Sequence, residues 1–246
     1  MTSILDSELS QCYRHRMQKR ATQNALVIFA KSPASGSVKT RLHGIISPET
    51  ARGLAKASLY DTIETSLQLK GVQLVLACSP SEHDPFFQEL ARRYRIKLLG
   101  QKGEDLGERM AGAFRELKGQ GFQRTLIIGS DLPTLPASHL RQALTLLRRH
   151  EIVIGPSLDG GYYLIGISEQ VPPIFDAIPW STDRVFVMTM EKILKAKLSC
   201  GLLPFWYDVD RPEDLRFLSL HLRLLRQKDQ GIASRTAAVL DSINRT

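Results

Sequence analysis

Short, wholly apolar runs alternate with longer segments whose apolar positions recur every three to four residues, from about residue 25 to residue 225. The first run, residues 25–30 (ALVIFA), has no polar position, as expected of a strand buried on both faces of a parallel sheet. Residues 48–70 follow a helical period, with Leu54, Leu59, Ile63 and Leu67 near one face and Gly71 as the stop. The alternation continues with a strand over 72–78, a helix over 82–94, a strand over 96–99 and a helix over 105–117. A strand over 125–129 (TLIIG), a helix over 137–149 and extended segments over 152–154 and 162–167 come next, the last after a Gly-Gly turn. A helix over 182–197, a strand over 202–208 and a helix over 212–225 complete the order. Such an order predicts one α/β domain with a mostly parallel central sheet and helices on both faces. Ligands of such sheets sit beyond the carboxyl ends of the strands, so the loops that follow strands should carry the chemistry.

Outside this region the pattern changes. Residues 1–24 are polar and basic with few apolar anchors, and read as an extension outside the core. Residues 226–246 read as a C-terminal tail with a short helix around 236–240. The net charge is +8, which raises the choice between a nucleic-acid partner and a pocket for an anionic substrate. Much of the excess is terminal (Arg14, Arg16, Lys19 and Arg20; Arg223, Arg226 and Lys228), and no zinc finger or RNP-type segment occurs, so no nucleic-acid partner is expected. No apolar run approaches the ~18 residues of a membrane span, and the N-terminus lacks the basic-then-apolar order of a signal peptide. Three cysteines, Cys12, Cys78 and Cys200, with no CxxC pair, suit reduced thiols in a cytoplasmic protein and give no zinc site.

The loop after the first strand reads AKSPASGSVKTRL, residues 30–42. It places Lys31, Lys39 and Arg41 within eleven residues and shapes the turn with Pro33 and Gly36. Small residues there let backbone N–H groups approach phosphate oxygens, and the cations would neutralise a diphosphate. A Walker A loop is excluded, because Val38 and Pro33 stand where that motif requires glycines. The rival reading is a solvated basic loop.

Three further strand ends carry carboxylates. GSDLPTL places Asp131 at the end of the fourth strand, GPSLDGGYYLIG places Asp159 before Gly160 and Gly161, and YDVDRPEDL places Asp208 and Asp210 after the last strand. Carboxylates converging opposite a basic loop suggest Mg²⁺ or Mn²⁺, hard ions that bridge one or two carboxylates to substrate phosphates. Each position also has a structural reading: Asp159-Gly-Gly as a tight turn, and Asp210 or Asp214 as a charge at a helix N-terminus. Residues 101–110 (QKGEDLGERM) could hold a base or ribose at a helix start, or Asp105 could simply cap that helix. Trp180, in PWST, could stack on an acceptor or belong to the core.

Taken in order, AKSPASGSVKTRL, GEDLGERM, GSDLPTL, GPSLDGGYYLIG, PWST and DVDRPEDL resemble a bacterial and archaeal group of GT-A-fold transferases. That group is described as glycosyltransferases associated with radical-SAM or selenoprotein-like partners, some of them named for arsenosugar biosynthesis. It is similar, more distantly, to the molybdenum-cofactor and 2-phospholactate guanylyltransferases. The resemblance implies a GT-A-like nucleotide-diphospho-sugar transferase fold over residues 25–225. It also implies that Lys31, Gly36, Lys39 and Arg41 grip the nucleotide phosphates and that Asp131 and Asp210 bind the metal. Gly160 and Gly161 would then line the acceptor side. Gly129 departs from a glycosyltransferase DxD, which would place an acid two residues before Asp131.

The leading expectation is metal-dependent transfer of a sugar from a nucleoside-diphosphate sugar to a small-molecule acceptor. Asp131, Asp159 and Lys39 would be catalytic, Asp159 as base, with Asp105 on the nucleotide and Trp180 on the acceptor. The alternative is nucleotidyl transfer from a nucleoside triphosphate to a phosphorylated acceptor, with release of pyrophosphate. A non-catalytic nucleotide-binding module is the third. Oligomeric state is not legible.

Overall fold

The computed structural model describes residues 23–35 and 38–243. Nearly all of the expected N-terminal extension, and Gly36 of the phosphate loop, lie outside the described residues. Seven strands form the sheet: β1 (Asn24–Lys31), β2 (Val72–Ser79), β3 (Lys97–Gly100), β4 (Arg124–Gly129), β5 (Ile152–Pro156), β6 (Tyr162–Ile167) and β7 (Cys200–Leu202). Among the described residues, seven α-helices connect and flank them: α1 (Pro48–Ser66), α2 (Pro85–Tyr94), α3 (Leu106–Gly119), α4 (Ala137–Leu146), α5 (Val185–Lys195), α6 (Pro212–Leu225) and α7 (Ser234–Ile243).

The strand order is β3-β2-β1-β4-β6-β5-β7. All neighbours run parallel except β6, which is antiparallel to β4 and to β5. The short turn between β5 and β6 forces that reversal, since a tight connection joins only antiparallel strands. Chain order departs in opposite directions from β1 and β4, and this makes their carboxyl ends the crevice where a ligand fits.

Alternation along β1 divides the core. Leu26, Ile28 and Ala30 pack with α1, α2 and α4 on one face, while Ala25 and Val27 pack with α3 and α5 on the other. A third cluster joins Leu42, Ala51 and Leu54 to Leu215, Leu218 and Leu222 of α6 and Ala237 and Leu240 of α7. The segment expected as a C-terminal tail is therefore docked. Buried Asp61 of α1 accepts the Thr236 N–H at 2.8 Å, and Arg235 meets Glu64 at 2.6 Å.

Several boundaries differ from expectation; the helices expected to end at 70 and 149 end at Ser66 and Leu146. The helix before β3 starts at Pro85, because Asp84 accepts the Phe86 N–H at 2.8 Å and caps it there. Residues 182–184 remain a turn before α5, in which Thr182 Oγ1 donates to the Pro179 carbonyl at 2.7 Å. The last strand is only Cys200–Leu202: Pro204, with no N–H, interrupts the pairing, and Trp206 regains a single bridge to Ser157. Among the described residues no helix is long and apolar enough to cross a membrane.

Candidate functional site

After β1 the chain makes two short 3-10 turns, Pro33–Ser35 and Thr40–Leu42. Val38 and Leu42 are buried on either side of Lys39 and draw it inward. Lys39 adopts a left-handed backbone (φ 54°), uncommon for a residue with a Cβ, and its side chain is only 2% exposed. Its ammonium lies 2.8 Å from Asp131 Oδ2 and 3.7 Å from Asp210 Oδ1, and donates to the Val209 carbonyl. Arg41 Nη1 meets the other oxygen of Asp210 at 2.9 Å. The Val209 N–H donates to the Asp131 carbonyl at 3.2 Å, tying the strand-four end to the segment before α6. Asp214 receives the N–H groups of Asp210 and Arg211 at 3.0 and 2.7 Å and orients that segment.

Of these groups, Arg41, Asp131, Asp210 and Arg211 line a cleft of about 900 Å³ above the β1 and β4 ends, while the buried Lys39 does not. Lys31, Arg41, Arg109 and Arg211 bring positive charge to its lining, and Asp131, Asp159, Asp208 and Asp210 bring negative charge. Asp208, named in the sequence reading but given no role there, is central: Ser157 Oγ donates to it at 3.3 Å. Burial, then the charges of Asp159, Asp210 and Asp131, push its carboxyl up to about 6. The alternation of Asp208 with Asp210 in YDVDRP was the available signal, since residues two apart in extended chain share a side.

The other predicted residues divide. Lys31, Arg41, Asp131, Asp159, Gly161, Trp180 and Asp210 all line the cleft. Asp159 also closes its own turn, accepting the Gly161 N–H at 3.0 Å. Gly160 is structural. Its φ is +88°, and a Cβ there would lie 2.3 Å from the Asp183 carbonyl oxygen. Asp105 is a helix cap, accepting the Glu108 N–H at 2.8 Å, while Leu106 and Arg109 of the same turn reach the cleft. Asp105 itself is not among the residues that line the cleft. Trp180 lies so close over Gly107 that a Cβ there would sit 2.6 Å from the indole, and it stacks toward Phe175 at 6.5 Å. It is both a cleft wall and part of the core.

Comparison with known proteins fits this geometry. A family model described as an uncharacterized protein conserved in bacteria (DUF2064) matches residues 62–182. A 2-phospho-L-lactate guanylyltransferase from Methanothermobacter thermautotrophicus is 32% identical, covering 74% of this chain and 79% of that protein. The chain belongs to the nucleotidyl- and sugar-transferase family of that enzyme. A 3-phospho-D-glycerate guanylyltransferase from Phenylobacterium zucineum is 28% identical over 72% of this chain and 81% of its own length. The crystal structure of a candidate nucleotide-diphospho-sugar transferase from Desulfovibrio desulfuricans G20 superposes with a TM-score of 0.81 at 31% identity. It covers 91% of this chain and 97% of that one. The fold is therefore the GT-A-like one expected, and the chain is a transferase of this family. Of the two similarities read in the sequence, the comparisons support the guanylyltransferase one.

Proposed function

We propose that this transferase moves a guanylyl group from GTP to the phosphate of a small phosphorylated hydroxy acid. An oxygen of the acceptor phosphate attacks the α-phosphorus, the bond to the β-phosphate oxygen breaks, and pyrophosphate leaves. The observation that carries the reading is the convergence of Asp131 and Asp210, from separate chain segments, on the Lys39 ammonium. Carboxylates able to share a cation with phosphates, beside Lys31, Arg41 and Arg211, suit an anionic nucleoside di- or triphosphate donor. The relatives named as guanylyltransferases support the choice of reaction.

Nucleotidyl transfer also relieves Asp159 of the role of base. A phosphate acceptor is already largely ionised at neutral pH, with a second pKa of about 6, so its nucleophilic oxygen needs no proton removed. Transfer to a hydroxyl does need a base, and Asp159 already uses Oδ1 to close its own turn. Arg41 holds positive charge where negative charge gathers on the departing pyrophosphate, Lys31 and Arg211 extend that field along the cleft, and buried Lys39 adds its charge from behind Asp131 and Asp210.

Mg²⁺ or Mn²⁺ fits the donor chemistry, which is all carboxylate oxygen. Among the described residues no three potential ligands stand close enough to cage an ion by themselves. Such an ion would be held by one or two carboxylates, Asp131 and Asp210, and completed by substrate phosphates. When bound, such an ion neutralises phosphate charge.

Sugar transfer from a nucleoside-diphosphate sugar is the second reading, favoured by the similarity to the Desulfovibrio protein. The test is pyrophosphate release from GTP with and without 2-phospho-L-lactate or 3-phospho-D-glycerate, beside nucleotide-sugar consumption with hydroxyl acceptors. Release that depends on a phosphorylated acid is expected. Nucleotide-sugar consumption without pyrophosphate from GTP would reverse the order of the two readings.

A further inference from the structure

Gln101 follows β3 at the floor of the cleft, and both hydrogens of its side-chain amide are committed. Nε2 donates to the Ala77 carbonyl at 2.8 Å and to the Ala30 carbonyl at 3.3 Å, at the ends of β2 and β1. Its backbone N–H donates to the Cys78 carbonyl at 3.0 Å, which fixes the main chain as well. Two carbonyl acceptors demand the NH₂ end at that position, so the amide has one allowed orientation. Oε1 is left over. Among the described residues it engages no protein donor, and Gln101 is only partly exposed on the cleft wall. The result is a fixed acceptor, positioned by β1, which leads into the phosphate loop, and by β2.

The surroundings suit a flat heterocycle. Leu106, 42% exposed, offers an apolar side chain at the start of α3, and Trp180 borders the same cleft. Arg109, whose Nε donates to the Gly103 carbonyl at 2.9 Å, holds the intervening loop in place.

We propose that Gln101 reads the nucleotide base, its Oε1 accepting from the N1–H and N2–H₂ edge of guanine. This rests on the nucleotide-binding reading of the cleft but not on which bond is broken. Guanine presents two adjacent donors on that edge. Hypoxanthine keeps N1–H and lacks the amine, and adenine has an acceptor at N1. A site built to hydrogen-bond a substrate donor discriminates against an analogue without it, because the buried partner is left unpaired. The phosphate loop contributes the same contacts to every triphosphate, so this preference should be separable from affinity in general.

The test measures binding of GTP, ITP and ATP by titration calorimetry, without acceptor, to the unaltered protein and to Gln101→Met. The unaltered protein should bind GTP about tenfold more tightly than ITP, and ATP more weakly still. In Gln101→Met the three affinities should converge: GTP loses most, ITP loses less because it gives up only the N1–H bond, and ATP changes least. A merely structural role for Gln101 would weaken all three together. The comparison of GTP with ITP on the unaltered protein needs no variant, so misfolding of Gln101→Met cannot hide the answer. Equal binding of GTP and ITP, or a GTP preference that survives in Gln101→Met, would overturn the assignment and leave the transferase reading standing. Failure of every nucleotide to bind would remove both.

Discussion

The two rims of the cleft are built by opposite means. On one, Lys39, Arg41, Asp131 and Asp210 come from three segments far apart in sequence and are joined by charge. On the other, Asp159, Gly160 and Gly161 are held by their own turn, and Gly160 presses against the backbone of Asp183. The first rim spends its side chains on one another until a ligand competes for them. The second keeps its shape without a ligand. Charge changes on the first rim should therefore act mainly on turnover, and shape changes on the second mainly on stability.

The largest effect expected is that of Asp131→Asn. It keeps the side chain's size and removes the charge, and should lower turnover on the order of 10³-fold in a protein that still folds, with a lowered melting temperature because buried Lys39 loses its nearest partner. A full loss of fold instead would place Asp131 with the structural rim. Lys39 allows charge to be separated from backbone. Lys39→Gly and Lys39→Ala both remove the ammonium, and each should cost about 10²-fold in turnover. Glycine accepts the left-handed conformation freely, so Lys39→Gly should be the more stable of the two by about 1 kcal/mol in chemical denaturation. Equal stabilities would mean that the turn relaxes when the ammonium is gone.

On the opposite rim, Gly160→Ala meets both a positive φ and a carbonyl oxygen at 2.3 Å. It should lower stability by about 2 kcal/mol, read as a shifted denaturation midpoint, while turnover per folded molecule falls far less than in Asp131→Asn. The smallest effect is that of Asp105→Ala. Loss of its cap to Glu108 should cost about 1 kcal/mol and leave nucleotide affinity unchanged. A clear drop in GTP affinity there would restore Asp105 as a ligand contact.

Much of this division was legible in the chain. The unbroken apolar runs of β1 and β4 and the strand-end positions of Asp131 and Asp210 follow from pattern alone. The turn chemistry of Asp159-Gly-Gly and the capping geometry of Asp105 were also readable, and the structure gives both residues those local roles. What could not be read was long-range. Nothing local says that Lys39 turns inward, since a basic loop looks solvated until Val38 and Leu42 find their places in the core. Asp208 takes on its character only when Asp159, Asp210 and Asp131 surround it. The last strand is shorter than its apolar run suggests because Pro204 interrupts the pairing.

The central claim is that the bond broken lies between the α- and β-phosphates. The most direct measurement follows GTP labelled either at the α- or at the γ-phosphate through a reaction with a phosphorylated hydroxy acid. Guanylyl transfer predicts that the α-label enters a new guanosine-containing product while the γ-label leaves as pyrophosphate, in equal amounts. If neither label moves, and a guanosine-diphosphate sugar instead gives up its sugar to the acceptor with GDP released, guanylyl transfer is contradicted.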